Sequence, residues 1–364
     1  MPRPVAVPED EAPPLSDSLP NAPHPSEAPR VVGHAAAKAA LADAMGAGRM
    51  HHAWLLSGPR GIGKATLAWR TAAALRAEAT EPNLPDDHPV LRRTRAGGEP
   101  GILPIRRSWN PETKKLRQQI GIDDVRALGP FFGQRLMDGG PRVVIVDAAD
   151  EMTPQAQNAL LKSLEEPPEG AVLLLVCHRP SAILPTIRSR VRPLRMNPLT
   201  ASETAEAMDL AGLGADRTLA VLSQGSPGEA ARLAEADGAK LYATLVKLLA
   251  TAPDMDRGAA LALSSTLSQR DAARTEAAFA LLLTLIARLA RAPLAEQPEA
   301  VPGEGSILAR LSPDPAAARG WAALHAELST RVAHALAVNL DPGALLSDTL
   351  AAVDRTAAHL AKAR

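Results

Sequence analysis

This sequence has few aromatic residues, a single cysteine and no net charge. Phe, Trp and Tyr make up 2% of its 364 residues, so aliphatic side chains and alanine must fill the core. Cys177 is the single cysteine, which excludes an internal disulfide and a cysteine-rich zinc site. Lys plus Arg equal Asp plus Glu at 40 each, and zero net charge argues against strong DNA binding by this chain alone.

Long apolar runs and targeting signals are missing too. No run of about 18 apolar residues predicts a membrane span, and the first residues lack the charged-then-apolar pattern of a signal peptide. Together with the lone thiol, these features predict a soluble, cytoplasmic protein that does not contact a membrane.

Proline is plentiful and marks the irregular segments. Residues 1–29 hold nine of the 33 prolines and have little apolar surface to bury, so they are predicted to form a disordered tail. Residues 79–119 are rich in Pro and Arg and are predicted to form an insertion or long loop.

The remaining sequence divides into a mixed half and a helical half. Apolar strands at 53–57, 142–147, 171–177 and 192–195 alternate with helices at 34–45, 64–77, 123–137 and 154–165, which predicts an α/β domain with a mostly parallel sheet. After Thr200 only helical patterns follow, and they predict a small module and then a larger bundle. The predicted helices are 201–211, 216–223, 227–236, 238–251, 257–292, 316–339 and 343–362.

A phosphate-binding loop follows the first strand. Residues 58–64 read GPRGIGK and open a helix, so backbone N–H groups near Gly58, Gly61 and Gly63 would cradle phosphates and Lys64 would reach the β- and γ-phosphates. The alternative is a glycine-rich turn with a chance lysine, which the strand–loop–helix context disfavours.

The side chains that hydrolysis needs are absent around this loop. Ala65 replaces the hydroxyl residue that holds Mg²⁺, and Thr66 lies one position later, rotated by about 100° around the helix. Asp147 ends an apolar strand, as the metal-supporting Asp of a Walker B strand does. Ala148 follows it and cannot act as a general base, so Asp147 is open to a second reading as a helix-capping carboxylate.

Two further runs, in this order along the chain, identify a family resemblance. Residues 158–168 (NALLKSLEEPP) and 186–190 (TIRSR), with the loop and Asp147 before them, resemble the clamp-loader branch of AAA+ proteins, and within it the delta-prime subunits of bacterial DNA polymerase III. The resemblance implies a five-subunit ring with tau/gamma motor subunits and a delta subunit. Such a ring opens a sliding clamp and places it on primed DNA as part of the polymerase III holoenzyme.

The resemblance also assigns roles to single residues. Arg190 matches the arginine that one subunit inserts into its neighbour's ATP site, although Val191 replaces the cysteine of that motif. His178 stands near the position of a sensor Thr or Asn, and Gly228 replaces the lid arginine. These losses imply a degenerate ATPase that needs no cofactor, binds ATP and Mg²⁺ weakly or not at all, and holds no zinc.

The implied domains are an AAA+ domain at 30–199, a helical lid at 200–237 and a helical collar at 238–364. Three hypotheses stay open on the sequence. The chain is a non-catalytic loader subunit that donates Arg190, an active AAA+ motor that uses Lys64 and Asp147, or a scaffold with a vestigial loop.

Overall fold

A five-stranded parallel sheet organises the first half of the computed structural model, which describes residues 13–19, 21–134, 136, 139–267 and 271–362. The sheet order is β2-β5-β6-β1-β7, and β3 and β4 form a separate antiparallel pair. In chain order the strands are β1 (Ala53–Ser57), β2 (Ile102–Arg106), β3 (Trp109–Asn110), β4 (Lys115–Leu116), β5 (Arg142–Asp147), β6 (Ala171–Cys177) and β7 (Arg192–Arg195).

Both faces of the sheet are buried, which explains why its central strands are continuously apolar. Along β1, Leu55 packs into one core cluster and Trp54 and Leu56 pack into the other. The strands β5 and β6 alternate in the same way. The predicted mostly parallel α/β sheet is therefore confirmed.

Eight helices accompany the sheet in the described part of this unit. They are α1 (Ala35–Gly46), α2 (Lys64–Arg76), α3 (Pro89–Arg95), α4 (Ile122–Arg126), α5 (Leu128–Gly133), α6 (Pro154–Glu165), α7 (Pro185–Arg188) and α8 (Ala201–Leu210). The start of α6 is capped as the sequence predicts, because the Thr153 hydroxyl accepts the N–H of Ala156 at 3.2 Å and Pro154 needs no partner.

The prediction of an irregular loop at 79–119 is wrong. This segment contains α3, the short β3–β4 pair and the edge strand β2 of the main sheet. Pro104 interrupts the apolar pattern of β2, so the strand was not predicted from the sequence. An edge strand nevertheless tolerates a residue that lacks a backbone donor. The side chain of Glu99 is buried and pairs with Arg76 on α2 at 3.0 Å and with Arg93 on α3 at 2.9 Å, which fixes the insertion to the domain.

The single helix predicted at 123–137 is also wrong. Two short helices, α4 and α5, share this stretch, and Met137 lies outside the described residues. Pro130 lacks the N–H that a continuous helix would need to bond the carbonyl of Arg126.

The segment predicted as a free tail packs against the domain over its described part. Residues 1–12 and Pro20 lie outside the described residues, so the prediction stays untested there. The side chain of Asp17, in contrast, is 1% exposed and pairs with Arg106 at the end of β2. Proline content alone did not reveal this contact, because the buried group is a carboxylate rather than an apolar side chain.

The second unit, residues Leu213–Gly225 and Glu229–Arg364, is helical over its described part. Its helices are α9 (Arg217–Leu222), α10 (Pro227–Glu235), α11 (Gly238–Ala250), α12 (Arg257–Ser265), α13 (Ala272–Arg291), α14 (Glu304–Leu311), α15 (Pro315–Ala337) and α16 (Pro342–Lys362), with the first residues of α10 counted in the other unit. The all-helical prediction for this region is confirmed.

Two details of that prediction need correction. The helix expected at 257–292 is two helices, since α12 ends at Ser265 and Asp271 caps the start of α13 by accepting the N–H of Arg274 at 3.0 Å. The helix α14 was missed, and it is held by the buried carboxylate of Glu304. That carboxylate pairs with Arg288 at 2.6 Å and accepts the hydroxyl of Tyr242.

The chain forms two compact units. The first comprises Met1–Gly212 and Ser226–Gly228, and the second is the helical remainder. The division into a lid at 200–237 and a collar at 238–364 stays a prediction. Among the residues that the structure describes, no helix is long and apolar enough to cross a membrane, and no three His, Cys, Asp or Glu side chains are placed to share a metal ion.

Candidate functional site

The loop 58–64 joins β1 to α2 and is shaped by its glycines. Gly58 has φ +155°, and a Cβ there would lie 2.3 Å from the carbonyl oxygen of Met196, so no other residue fits. Gly63 has φ +101° and stands at the N-cap of α2. The strand–loop–helix order of a phosphate-binding loop is therefore present.

Lys64 turns back onto the loop. Its Nζ donates to the carbonyl of Gly58 at 2.8 Å and to that of Pro59, and the residue is buried. Burial lowers the pKa of Lys64 to about 8, although the charges of Asp147 and Asp150 act in the opposite direction. The ammonium that would meet phosphates is thus held by the loop's own carbonyls.

Asp147 lies at the end of β5, where a Walker B carboxylate is expected. Burial raises its pKa to about 7, with a further contribution from the negative charge of Asp17, while Lys64 opposes the shift. Thr66 lies half-buried in the first turn of α2, after Ala65 at the position of the metal-binding hydroxyl. The loop and the acidic strand are brought together, but the hydroxyl that would complete a Mg²⁺ site beside Lys64 is not supplied.

Asp150 is the nearest carboxylate after Asp147 in the sequence, and it serves a structural purpose. It accepts the backbone N–H groups of His178 at 2.8 Å and Arg179 at 3.2 Å, and its side chain is 1% exposed. Burial alone would raise its pKa, but these hydrogen bonds hold the pKa below the usual range. The carboxylate ties the end of β5 to the end of β6 and is not free to activate water, while Ala148 is buried and has no proton acceptor.

The end of β6 carries the two residues at the sensor position. Cys177 is fully buried in the core, and burial raises the pKa of its thiol to about 12, so it is an inert core residue. Burial and the nearby charge of Lys64 lower the pKa of His178 to about 4. A neutral imidazole therefore stands where a Thr or Asn was expected.

The segment Ser226–Gly228 packs directly on the phosphate-binding loop. The N–H of Gly228 donates to the carbonyl of Gly61 at 2.9 Å, and the hydroxyl of Ser226 donates to the carbonyl of Arg60 at 2.9 Å. A Cβ at position 228 would lie 2.8 Å from the Cα of Gly61, so an arginine cannot stand there without moving the backbone.

Arg190 follows α7 and is partly exposed. Its Nη2 pairs with the Glu165 carboxylate at 3.0 Å, and its Nη1 donates to the carbonyl of Thr186 at 2.9 Å. The guanidinium side chain is 38% exposed and Glu165 is 49% exposed, so the pair is accessible to water and to a partner. This is also the surface salt bridge that a purely structural role would require.

Comparison with known proteins finds relatives over part of the chain. Residues 33–200 match the family model described as DNA polymerase III, delta subunit. The delta-prime subunit of Pseudomonas aeruginosa is 37% identical over 50% of this chain and 55% of its own length, and that of Escherichia coli is 31% identical over 56% and 60%. Over these residues the chain resembles a DNA polymerase III delta-prime subunit.

The delta-prime-like region covers part of the molecule. The chain spans 55–60% of the length of these two relatives. The gamma/tau subunit of Mycobacterium tuberculosis is 34% identical over 48% of this chain and 29% of that protein. Among solved structures, a gamma-subunit-related protein from Thermotoga maritima aligns with 87% of this chain and 99% of that chain at 20% identity and a TM-score of 0.37.

Sequence reasoning missed two charged residues that lie beside the candidate site. Asp17 and Arg106 lie at the carboxyl end of the sheet beside Asp147, since Arg106 pairs in register with Asp147. Asp17 was assigned to a tail and Arg106 to a loop, and neither belongs to a recognisable motif. A signal existed only in the apolar residues of β2, which Pro104 interrupts.

Proposed function

We propose that this chain is a non-hydrolysing delta-prime-type subunit of a bacterial DNA polymerase III clamp loader. In this function it helps to load a sliding clamp on primed DNA and supplies Arg190 to the ATP site of a neighbouring subunit. One observation carries the non-hydrolysing part. Ala148 occupies the position of the general base, and the nearby Asp150 is committed to backbone N–H groups.

The missing general base and the missing metal-binding hydroxyl are expected to slow ATP hydrolysis greatly. General-base catalysis contributes about 10²–10⁴ in rate, and the sequence offers no substitute at position 148. Ala65 removes the hydroxyl that holds Mg²⁺ in this fold. Asp147 ends β5 at the Walker B position, but with Ala65 beside the loop it is left without the hydroxyl partner of a Mg²⁺ site.

Arg190 is suited to act on a partner's nucleotide. Its present partner Glu165 is about half exposed, and exposed ion pairs contribute about 0–1 kcal/mol, so the guanidinium can leave it at low cost. An arginine supplied in trans stabilises charge on the transferred phosphoryl group and raises the rate by about 10³–10⁵ in related NTPases. Its side chain is partly exposed after α7 and makes polar contacts only with Glu165, Thr186 and Ser189 among the described residues, which suits insertion into a neighbour's site.

The proposed partners follow from the relatives. Those relatives are named as delta-prime and gamma/tau subunits of DNA polymerase III, and we propose gamma/tau-type motor subunits and a delta subunit as partners in a five-subunit ring. The zero net charge fits a subunit that contacts DNA through the assembly rather than alone.

An active motor is the second candidate, because the gamma/tau relative is 34% identical and Lys64 and Asp147 are retained. ATP turnover separates the two candidates. The purified full chain and a loader reconstituted with its motor and delta subunits are assayed with wild-type, Arg190→Ala and Arg195→Ala protein, the last being a control at an exposed arginine of β7.

We expect no turnover by the chain alone, and a lower rate for the loader that carries Arg190→Ala with unchanged recovery of the complex. The Arg195→Ala control should retain the wild-type rate. Turnover by the isolated chain that Lys64→Ala abolishes would instead establish the motor function. An unaltered loader rate with Arg190→Ala would remove the trans-arginine role.

A further inference from the structure

The N-terminal strap, residues 13–24 with Pro20 outside the described residues, crosses the carboxyl end of the sheet. It begins beside β2, where Leu15 and Ile105 line a common groove. It then brings Asp17 to the ends of β2 and β5, and Leu19 to Gly228. It ends at α2, the helix that the phosphate-binding loop opens. This path follows the edge of the sheet at which the phosphate-binding loop also begins.

Asp17 anchors the middle of the strap. Both carboxylate oxygens accept from Nη1 of Arg106, at 2.9 and 3.0 Å, and one lies 3.1 Å from Nε2 of His24. The side chain is 1% exposed, so its charge is largely removed from water. Its two basic partners compensate for the lost hydration. A buried carboxylate with such partners is a specific attachment rather than a chance surface contact.

The position of Asp17 matters because Asp147 is its neighbour. Arg106 and Asp147 are register partners on β2 and β5, and the charge of Asp17 contributes to the raised pKa of Asp147. A polyphosphate at the loop would bring further negative charge next to both carboxylates. Arg106 is already neutralised by Asp17 and is not available to offset that charge.

The second half of the strap approaches the loop through Gly228. The Cδ1 of Leu19 lies 3.3 Å from the place of a Cβ on Gly228, and Gly228 is hydrogen-bonded to Gly61 of the loop. Beyond it, the ring of His24 packs edge-on against Trp69 of α2 with centroids 5.4 Å apart. The Nδ1 of His24 lies 2.7 Å from the hydroxyl of Ser26, which fixes the ring.

We infer that the strap is the built-in occupant of the phosphate-binding groove, and that release of Asp17 from Arg106 opens the groove to a nucleoside di- or triphosphate. The Asp17 carboxylate and a polyphosphate are alternatives, since both would place negative charge beside Asp147 at the same edge of the sheet. This inference goes beyond the proposed function, which requires only that the chain does not hydrolyse ATP.

The test measures binding of ADP and of the slowly hydrolysed ATPγS, each with Mg²⁺, to the isolated full chain by calorimetry. Asp17→Lys places a cation against Arg106 and should release the strap. Glu27→Lys makes the same charge change at an exposed carboxylate three residues beyond the end of the strap and is the matched control. Asp17→Asn is the milder variant, and thermal melting reports whether each protein is folded.

We expect Asp17→Lys to bind at least about 10-fold more tightly than wild type, because the binding-competent fraction rises when the strap is released. Glu27→Lys should bind like wild type, and Lys64→Ala in the Asp17→Lys background should abolish the gain. Hydrogen exchange of residues 13–19 should become faster in Asp17→Lys and Asp17→Asn.

Three results would overturn the inference. The strap could be released, as judged by exchange, without any gain in binding. It could remain protected in Asp17→Lys, so that the ion pair does not hold it. The gain could survive Lys64→Ala or appear equally in Glu27→Lys, which would assign it to charge outside the loop. These readouts are independent of Arg190 and of assembly, so failure here leaves the clamp-loader proposal standing, and the reverse holds too.

Discussion

Charged residues around the loop are engaged in structural contacts. Asp150 uses both carboxylate oxygens to hold the backbone after β6, and Lys64 uses its ammonium to hold the carbonyls of its own loop. His178 is kept neutral between them, with its Nδ1 buried and without a hydrogen-bond partner. Asp150 and Lys64 are thus held by backbone groups of the chain itself.

The imidazole of His178 makes this unit sensitive to acid. Its folded pKa of about 4 lies below the ordinary value of 6.5, so the unfolded chain binds the proton more readily. Stability is therefore full above pH 6.5 and is lost as the pH falls toward 4. We expect wild type to lose about 1–2 kcal/mol through this group between pH 7 and pH 5, and His178→Asn to avoid that loss.

Urea unfolding followed by tryptophan fluorescence at the two pH values measures the difference. His88→Asn is the control, because asparagine can replace His88 as the N-cap of α3, and it should keep the wild-type acid loss. An equal loss in wild type and His178→Asn would show that another group is responsible.

At the scale of elements, the helical unit is fixed by one buried ionic cluster. Glu304 at the start of α14 pairs with Arg288 of α13, accepts the hydroxyl of Tyr242 of α11 and accepts the N–H of Ala300 at 2.7 Å. Burial, with the carboxylate beside it, raises the pKa of Tyr242 far above its usual range, so the phenol stays a donor. Three helices thus meet at a single carboxylate.

Removing that carboxylate leaves Arg288 buried without its counter-charge. We expect Glu304→Ala to lower the free energy of unfolding of the helical unit by about 3–5 kcal/mol. Urea unfolding followed by circular dichroism measures it, with Glu327→Ala on the exposed side of α15 as a control that should change stability by less than about 0.5 kcal/mol. A change in the free energy of unfolding of less than about 1 kcal/mol for Glu304→Ala would mean that water hydrates Arg288 in place of the carboxylate.

The elements also show what the sequence could predict. The strands β1, β5 and β6 were predicted because buried parallel strands are apolar on both faces, and the start of α6 because Thr153 and Pro154 are a helix-start signal. Edge strand β2 and helix α14 were missed because tertiary contacts position them, and such contacts leave no local sequence pattern. The insertion that carries β2 depends on the buried pair of Glu99 with Arg76, and α14 depends on Glu304. For the site, the loop and Asp147 were predicted, but Asp17 was not, since burial of a single carboxylate has no periodic pattern.

At the scale of the whole molecule, the proposed absence of ATP hydrolysis does not depend on two missing side chains alone. Ala65→Ser with Ala148→Glu would restore the metal-binding hydroxyl and the general base. We expect the full chain with both changes to show no ATP turnover above wild type, because Ser226–Gly228 and the strap still cover the loop. Steady-state phosphate release measures this, with Lys64→Ala added as the background control. ATP turnover that depends on Lys64 would contradict the expectation that Ser226–Gly228 and the strap block the loop.

The contact between Gly228 and Gly61 constrains which residues position 228 can accept during evolution. With the Cα of Gly61 only 2.8 Å from where any Cβ would stand, a codon change that introduces a side chain there would damage packing. Selection for a folded protein therefore opposes such a change even where selection for a new chemical group would favour it, and glycine is expected to persist at this position as the rest of the sequence diverges.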